Sequence, residues 1–341
     1  METTTMDGRA GASRSEIWRH LRRWAKQDQV ALVPVLVIAL VVGSALQPAF
    51  MTQTNMINVL RQSSELSVVV LAETLILLTG RFDLSLESTV GLAPMVGAWL
   101  VCPVAIGGSG FGLNPWLALL AMFATGAVVG AVNGALIVGL RLNAFMATLA
   151  MLILLRGITI GLSDGKTLYD LPASFTYIGS ASWLGVPTSV WIAGVLYLLV
   201  GLFLRYHRVG RAVYAIGGNS EAARAAGIRR DRIVVGVYVA GGGLAVVAGL
   251  MLAGRLASVT SSQGQNMIFT VFAAAVIGRI SLNGGRGTVL GALLGVLLLG
   301  LVSNILTLSN IQPFWINAAF GAIILLALIV ARFTTGEKDQ A

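Results

Sequence analysis

Long apolar segments separated by short polar ones dominate the chain. Each apolar segment is close to the roughly 20 residues that a helix needs to cross the ~30 Å hydrocarbon core of a bilayer. The pattern predicts ten membrane spans, at residues 30–48, 57–79, 86–104, 115–140, 144–162, 188–205, 233–254, 267–280, 288–306 and 314–331. We therefore predict an all-α, polytopic membrane protein whose even number of spans puts both termini on the same side.

The second and eighth predicted spans depart from this pattern. The second contains Arg61, Glu65 and Glu73, and charged side chains are costly in contact with lipid. The eighth, at residues 267–280, is short for a full crossing. We expect broken or re-entrant helices at both places, or a second span that faces protein instead of lipid.

Composition agrees with a membrane protein and excludes several kinds of site. Of the 341 residues, 56% are hydrophobic and 11% are charged, whereas soluble domains average about 25% charged residues. The single Cys102 excludes internal disulfides and cysteine metal sites, and only His20 and His207 are available for a histidine centre. No segment has the spacing of a phosphate-binding loop. We therefore expect a non-catalytic chain that binds no cofactor or metal ion.

Positive charge is concentrated on one side of the predicted topology. Of the 23 Lys and Arg, 19 fall in the N-terminal segment, in alternate loops and in the C-terminal segment. The four exceptions are Arg61, Arg156, Lys166 and Arg255. The positive-inside rule then places both termini and the loop 206–232 in the cytoplasm. The net charge of +9 is thus explained by topology, without nucleic-acid binding.

Three segments lie outside the permease domain 30–331 or interrupt it. Residues 1–29 form a basic cytoplasmic tail, which is either solvated or contains a helix lying on the inner leaflet. Residues 332–341 form a second cytoplasmic tail. The loop 163–187 is the largest external segment, and it is either a plain connector or a contact for an extracytoplasmic partner.

The cytoplasmic loop contains one short predicted helix. Ser220 is the predicted N-cap, and Glu221 complements the positive end of the helix. Ala222 and Ala223 favour helix, and Gly227 can adopt the left-handed conformation that ends it. A helix of roughly two turns is too short to be stable alone. It either packs on its own protein or docks on a separate cytoplasmic subunit.

Two polar breaks in the apolar pattern resemble each other, at residues 80–91 and 278–291. Each opens with Gly-Arg, carries Ser-Leu and re-enters an apolar segment through Thr-Val. Transporters often place their pathway at such repeated breaks, and ordinary cytoplasmic turns are the alternative. Two ladders of glycines spaced by four predict close helix packing. They are Gly126, Gly130 and Gly134, and Gly287, Gly291 and Gly295.

Several motifs stand in a specific order across residues 30–331. They are TGRFDLS at 79–85, NG at 133–134, NAFMATL at 143–149 with LRG at 155–157, GR at 210–211 with GGNSEAA at 217–223 and GI at 227–228, and SLNGGRG at 281–287. With these motifs the chain resembles the inner-membrane permeases of ribose-type sugar ATP-binding-cassette (ABC) importers, within the branched-chain amino acid/ribose transport permease family.

The resemblance implies a set of partners and a location in the bacterial inner membrane. Two permeases, like or unlike, form the pore, and two cytoplasmic ATPases use ATP to drive it. A periplasmic or lipoprotein binding protein delivers the sugar or sugar-like solute. The resemblance also implies that Glu221, Ala222 and Ala223 with Gly227 dock on the ATPase, which favours docking for the short helix.

Four polar residues within the predicted spans or breaks are candidates for the translocation path. We expect alternating access, with Asp83, Ser85 and Asn133 as polar elements of the path. Glu73 is a further candidate because intramembrane carboxylates are commonly functional. An alternative function is proton-coupled secondary transport through Glu73.

Three positions depart from the family pattern. Arg81 and Arg279 each replace the second glycine of a break, and Thr270 replaces an acidic residue. One hypothesis is that the two arginines favour a negatively charged solute such as a sugar acid. The other is that they contact acidic groups on an unlike permease in a heterodimer.

Overall fold

The computed structural model describes residues 32–335, which form thirteen α-helices and one short β-hairpin. The helices are α1 Leu32–Leu46, α2 Gln53–Leu77, α3 Leu86–Val101, α4 Pro115–Val138, α5 Ala144–Ser163, α6 Ala173–Ser180, α7 Thr188–Tyr206, α8 Arg208–Gly218, α9 Ser220–Ala225, α10 Arg230–Leu256, α11 Met267–Ile277, α12 Val289–Leu308 and α13 Pro313–Thr335. The hairpin pairs β1 Ser182–Trp183 with β2 Val186–Pro187, antiparallel. The interfacial helix expected within residues 1–29 lies outside the described residues, as does the tail beyond residue 335.

Every predicted span coincides with a helix, which confirms an all-α membrane protein. Five helices are long and apolar enough to cross a membrane: α4, α5, α7, α10 and α12. α1, α3, α11 and the first part of α13 are shorter apolar helices. The helices α6, α8 and α9 lie in segments that the apolar pattern leaves between spans.

Short polar side chains start several of these helices. Asn114 Oδ1 accepts a hydrogen bond from the amide of Trp116 at the start of α4, at 2.9 Å. Asn143 does the same for Met146 in α5, at 3.2 Å. These caps satisfy amide groups that the first helical turn leaves without partners.

Helix α2 is the centre of the molecule. From Ser63 to Leu77 its residues are buried, except for the half-buried Leu66. It packs mainly on α10, α12 and α7. The helix is continuous over 25 residues, so the prediction of a break inside the second span is wrong. Glu65 and Glu73 need no break because the protein surrounds them, as the alternative prediction required.

The eighth predicted span is short, as expected. Helix α11 has 11 residues and a length of about 16 Å, roughly half of the ~30 Å hydrocarbon core. It follows a loop at the predicted external end and ends at the second break. Helix α3 begins at the fully buried Leu86, inside the first break.

The glycine ladders pack against neighbouring helices, as predicted. An added Cβ at Gly126 or Gly130 would overlap the backbone of Gly242 or Tyr238 in α10. An added Cβ at Gly291 or Gly295 would overlap the carbonyl oxygens of Gly278 or Ala274. The absence of a side chain therefore allows α4 to approach α10, and α12 to approach α11, backbone to backbone.

The loops that are predicted to lie on the same side of the membrane lie at the same end of the molecule. Both breaks, the start of α5 and the segment from α8 to α10 meet around one cavity. At the other end, the loop 163–187 contacts the loop after α10, where Leu168 and Val259 exchange backbone hydrogen bonds of 2.9 and 2.8 Å. We refer to these as the inner and outer ends.

Candidate functional site

The predicted docking segment is a pair of short helices at the inner end, α8 and α9. Asn219 Oδ1 accepts hydrogen bonds from the amides of Glu221 and Ala222, at 3.1 and 2.9 Å. Asn219 is therefore the N-cap, and the prediction that Ser220 is the cap is off by one residue. Asn219 has extended backbone, whereas Ser220 already belongs to the helix, and its Oγ accepts a hydrogen bond from Arg230 at 3.1 Å.

The end of α9 agrees with the prediction. Gly227 has a φ of +80°, and its amide donates to Arg224 O at 2.9 Å. The amide of Ile228 donates to Ala223 O at 3.1 Å. This pair of hydrogen bonds is a Schellman motif, in which a glycine takes the left-handed position.

Helix α9 has one face on its own protein and one face free of it. Ala223 is buried, whereas Ala222 and Gly227 are exposed. The side chains of Glu221 and Arg224 are 71% and 68% exposed and lie 3.6 Å apart. Glu221 also pairs with Arg230 at 3.0 Å. Packing on its own protein and docking on a separate subunit are therefore compatible, because α9 packs on α8 and α10 and still has an exposed face.

The end of α8 touches both breaks through glycines. Gly285 of the second break donates a backbone hydrogen bond to Leu78 O, two residues before the first break, at 3.0 Å. An added Cβ at Gly217 would overlap both of these groups. An added Cβ at Gly284 would lie 2.6 Å from Gly80 Cα. We call Gly80, Gly217, Gly284 and Gly285 the glycine junction.

A cavity of about 690 Å³ opens beside this junction at the inner end. Its charged lining residues are Arg81, Arg141, Arg230 and Asp231. Arg81 is half-buried, and its guanidinium donates to Thr79 O at 3.1 Å. Arg279 is exposed on the neighbouring break and has a left-handed φ of +59°.

The predicted path residues form one buried cluster behind this cavity. Asp83 Oδ1 accepts hydrogen bonds from the amide and hydroxyl of Ser85, at 2.9 and 2.6 Å. Asn133 Nδ2 donates to Ser85 Oγ at 2.7 Å and to both carboxylate oxygens of Asp83 at 3.3 Å. The cluster joins α4 to the first turn of α3, where a carboxylate is favoured at the positive helix end.

Glu73 adjoins this cluster from α2. Its Oε1 accepts a hydrogen bond from the amide of Asp83 at 3.4 Å, and its Oε2 has no partner among the described residues. Glu73, Asp83, Ser85 and Asn133 are at most 2% exposed and line neither the inner cavity nor the outer cavity described below. Their predicted place in the translocation path stays a prediction.

Sequence reasoning missed two intramembrane ion pairs. Arg156 pairs with Glu87 at 3.4 Å and donates to the carbonyl oxygens of Ser261 and Gln263, at 3.3 and 3.0 Å. Glu87 Oε2 accepts from the amide of Ile268 at 3.1 Å, so the pair connects α3 and α5 to the first turn of α11. The sequence did contain a signal for these pairs. Arg156 and Arg255 are two of the four basic residues that fall outside the cytoplasmic segments, and a charged side chain within a membrane needs a partner.

The second ion pair joins α2 to the end of α10. Arg255 Nε lies 2.7 Å from Glu65 Oε1, and the Glu65 side chain is 4% exposed. The pair lines an outer cavity of about 430 Å³. Thr270, the third departure from the family pattern, lines the same cavity. Within the described residues, no group of three or more His, Cys, Asp or Glu side chains could hold a metal ion.

The chain has clear relatives. Residues 55–331 match the family described as branched-chain amino acid transport system / permease component. The ribose import permease protein RbsC of Escherichia coli K12 is 35% identical over 334 residues, covering 97% of this chain and 98% of the relative. The L-arabinose transport system permease protein AraH of the same organism is 32% identical, covering 91% and 92%. The autoinducer 2 import system permease protein LsrC of Klebsiella pneumoniae is 34% identical, covering 89% and 86%.

These matches confirm the resemblance to permeases of the ribose-type ABC importers. They extend over the helices, both breaks and the segment of α8 and α9. The relatives are permeases, which agrees with the expectation of a non-catalytic chain. The protein therefore belongs to the branched-chain amino acid transport system / permease component family, as a multi-pass membrane permease of the ABC sugar-import type.

Proposed function

We propose that this chain forms the translocation path for a sugar or sugar-like solute, that separate cytoplasmic ATPases drive the transport, and that an extracytoplasmic binding protein delivers the solute. The glycine junction carries the proposal, because it places the end of α8 in backbone contact with both breaks. A force applied to α8 and α9 therefore reaches both breaks, which follow the helices α2 and α11. The sugar import relatives support the solute class.

The ATPase docks on the exposed face of α9. At one corner of the inner end, Glu221, Ala222 and Gly227 are exposed, whereas the buried Ala223 anchors the helix on its own protein. Closure of an ATPase dimer then shifts α8 and α9 and favours one state of the helix bundle over another. ATP is bound by the partner subunits, and this chain needs no cofactor.

The proposed topology has ten spans and both termini in the cytoplasm. The positive-inside pattern supports it, since loops rich in Arg gather at the end that carries α9. At the outer end, the hairpin of β1 and β2 exposes Leu184 by 92% and Trp183 by 46%. This exposed apolar tip is a contact for the binding protein. A second permease, like or unlike this one, completes the pore.

The buried cluster of Asp83, Ser85 and Asn133 is the proposed polar part of the path in another state of the cycle. In the present state, Asn133 of α4 holds the first break through hydrogen bonds of 2.7 to 3.3 Å to Ser85 and Asp83. Glu73 accepts a hydrogen bond from the amide of Asp83, so a movement of the first break alters the surroundings of Glu73. Proton coupling through Glu73 is the competing function.

Two substitutions test the docking role. Glu221→Ala removes the exposed carboxylate, and Gly227→Val forces a β-branched residue into a left-handed conformation that costs about 1–2 kcal/mol. In the importer reconstituted with its ATPases and binding protein, we expect ATP hydrolysis to continue while solute uptake falls at least about tenfold. Uptake and ATP hydrolysis are measured in the same proteoliposomes.

Gly165→Val is the matched control. Gly165 also has a left-handed φ, of +71°, and open space around it, as Gly227 does, but it lies at the outer end. We expect this variant to lose similar stability and to keep coupled transport. Normal coupling in both α9 variants would refute the docking role, and uptake driven by a proton gradient without ATPases would favour the Glu73 alternative.

A further inference from the structure

We infer that the outer cavity is a binding site for an uncharged, polyhydroxylated solute of monosaccharide size. This inference deepens the proposed function and rests on it. The cavity lies between α2, the end of α10, the start of α11, α12 and α13. None of the predicted path residues lines it.

The cavity reaches from the outer end towards the middle of the membrane. Its lining on α12 runs from Leu299 to Thr307, and α12 ends at Leu308. At 1.5 Å per residue, Leu299 lies about 14 Å below the end of the helix, which is near the midplane of a ~30 Å core. Met267, the first residue of the half-length α11, lines the same cavity. The cavity therefore leads from the outer end to the level at which α11 begins.

Uncharged hydrogen-bonding side chains dominate the polar part of this lining. They include Gln62, Ser63, Thr270, Ser303, Asn304 and Asn317. Such groups are not stable against lipid, so within membrane helices they face protein or a water-filled cavity. Ser63 is 4% exposed, and its hydroxyl has no partner among the described residues.

The charge of the cavity selects the class of solute. Glu65 and Arg255 are its two charged lining residues, and they neutralise each other at 2.7 Å. An amino acid would need separate partners for its ammonium and carboxylate groups, and a sugar acid would need an unpaired cation. A neutral sugar needs only hydrogen-bond donors and acceptors, and the side-chain amides and hydroxyls of the lining can act as both.

The size and apolar lining of the cavity fit the same class. A volume of about 430 Å³ is within the roughly 300–1,000 Å³ of small-molecule sites. Leu252, Leu299 and Phe320 supply apolar surface for the carbon faces of a sugar ring. The combination of apolar walls with a few convergent polar groups is typical of a ligand site.

Cysteine protection tests the inference. The single native cysteine is removed as Cys102→Ser, and Thr270→Cys is introduced into the full chain in right-side-out membrane vesicles. A membrane-impermeant maleimide is added with the neutral sugar that the reconstituted importer takes up fastest among D-ribose, L-arabinose and D-glucose. We expect this sugar to slow the labelling of position 270 at least threefold, whereas L-leucine and D-glucuronate leave the rate unchanged.

Two further variants control the experiment. Ser303→Cys places the thiol on α12 and is expected to be protected in the same way. Gln312→Cys places it at the exposed outer end between α12 and α13, outside the cavity, and its labelling is expected to be insensitive to sugar. If neither cavity thiol reacts from outside while position 312 does, the inference is wrong.

The inference is also wrong if both thiols react at a rate that sugar does not change, or if L-leucine or D-glucuronate protects them equally well. These results leave the proposed function intact as long as the complete importer takes up the sugar with ATP. If none of the three sugars is taken up, the proposed function fails, and the inference falls with it.

Discussion

Arg81 and Arg279 stand at corresponding positions of the two breaks, yet their backbones differ. Arg279 has a left-handed φ of +59°, whereas Arg81 has an ordinary negative φ. Only glycine adopts the left-handed region without a steric cost. The glycine that the family pattern usually has at position 279 is thus explained by conformation, and the one at position 81 is not. The two departures need separate physical reasons.

Arg279→Gly is expected to raise the free energy of unfolding by roughly 1 kcal/mol, because it relieves the left-handed conformation. Arg81→Gly is the matched variant and is expected to give no such gain. Thermal unfolding of the purified permease in nanodiscs measures both. A loss of stability in Arg279→Gly would show that the contacts of its side chain outweigh the backbone strain.

The double variant tests the two hypotheses about the arginines. If they favour anionic solutes, restoring both glycines lowers the uptake of a sugar acid relative to a neutral sugar. If they hold an unlike permease, the same change weakens assembly of the complex. Unchanged uptake and unchanged assembly together would exclude both explanations.

Local chemistry at the residue scale was predictable from the sequence, and distant pairing was not. The left-handed Gly227 and the helix before it follow from neighbouring residues. The capping residue was misplaced by one because both Asn219 and Ser220 have suitable side chains, and only the extended backbone at the end of α8 decides between them. Glu65 and Arg255 are 190 positions apart, and no periodicity connects them.

At the scale of elements, a buried ion pair holds the half-length helix α11 in place. The Glu87–Arg156 pair connects α3 and α5 to the first turn of α11 and to the loop before it. The side chains of Arg156 and Glu87 are 15% and 6% exposed. Removing one partner of such a pair leaves a buried charge without compensation, whereas removing both does not.

Single and double substitutions of this pair give a thermodynamic cycle. We expect Glu87→Gln or Arg156→Met alone to destabilise the permease by about 3–5 kcal/mol, and the double variant by clearly less than the sum. The free energy of unfolding in nanodiscs is the measurement. Additive effects would mean that the two side chains act separately, through their backbone partners.

The positions of the helices followed from the apolar pattern because a membrane span needs both length and apolarity. The second span is the exception, because its charged residues suggested a break that the helix does not have. Helix α2 is unbroken because Arg255 neutralises Glu65 and the amide of Asp83 bonds Glu73. Such compensation depends on tertiary contacts, and hydropathy does not report them. The helix α6 was missed because eight residues are too few for a periodic signal.

At the scale of the whole molecule, the inner surface and the two breaks are connected by backbone. Gly217 is the tightest position of the glycine junction, since an added Cβ would overlap both Leu78 and Gly285. Gly218, the next residue, has no atoms within 4 Å of an added Cβ. The chain thus offers neighbouring glycines with opposite surroundings.

Gly217→Ala is expected to separate α8 from the breaks, because overpacking of a close contact typically costs about 1–3 kcal/mol. We expect reduced coupled uptake together with lower thermal stability. Gly218→Ala is the matched control, and it should change neither quantity. Equal behaviour of the two variants in ATP-driven uptake would show that the junction does not transmit the motion.

The make-up of this junction has a consequence for the order of events during transport. Side chains can absorb a small displacement by changing rotamer, whereas a contact made of glycine backbone can absorb it only by changing backbone dihedral angles. Gly217 of α8 lies against both Leu78 and Gly285, so a shift of α8 acts on both sides of the junction. We therefore expect the two halves of the path to move together during transport.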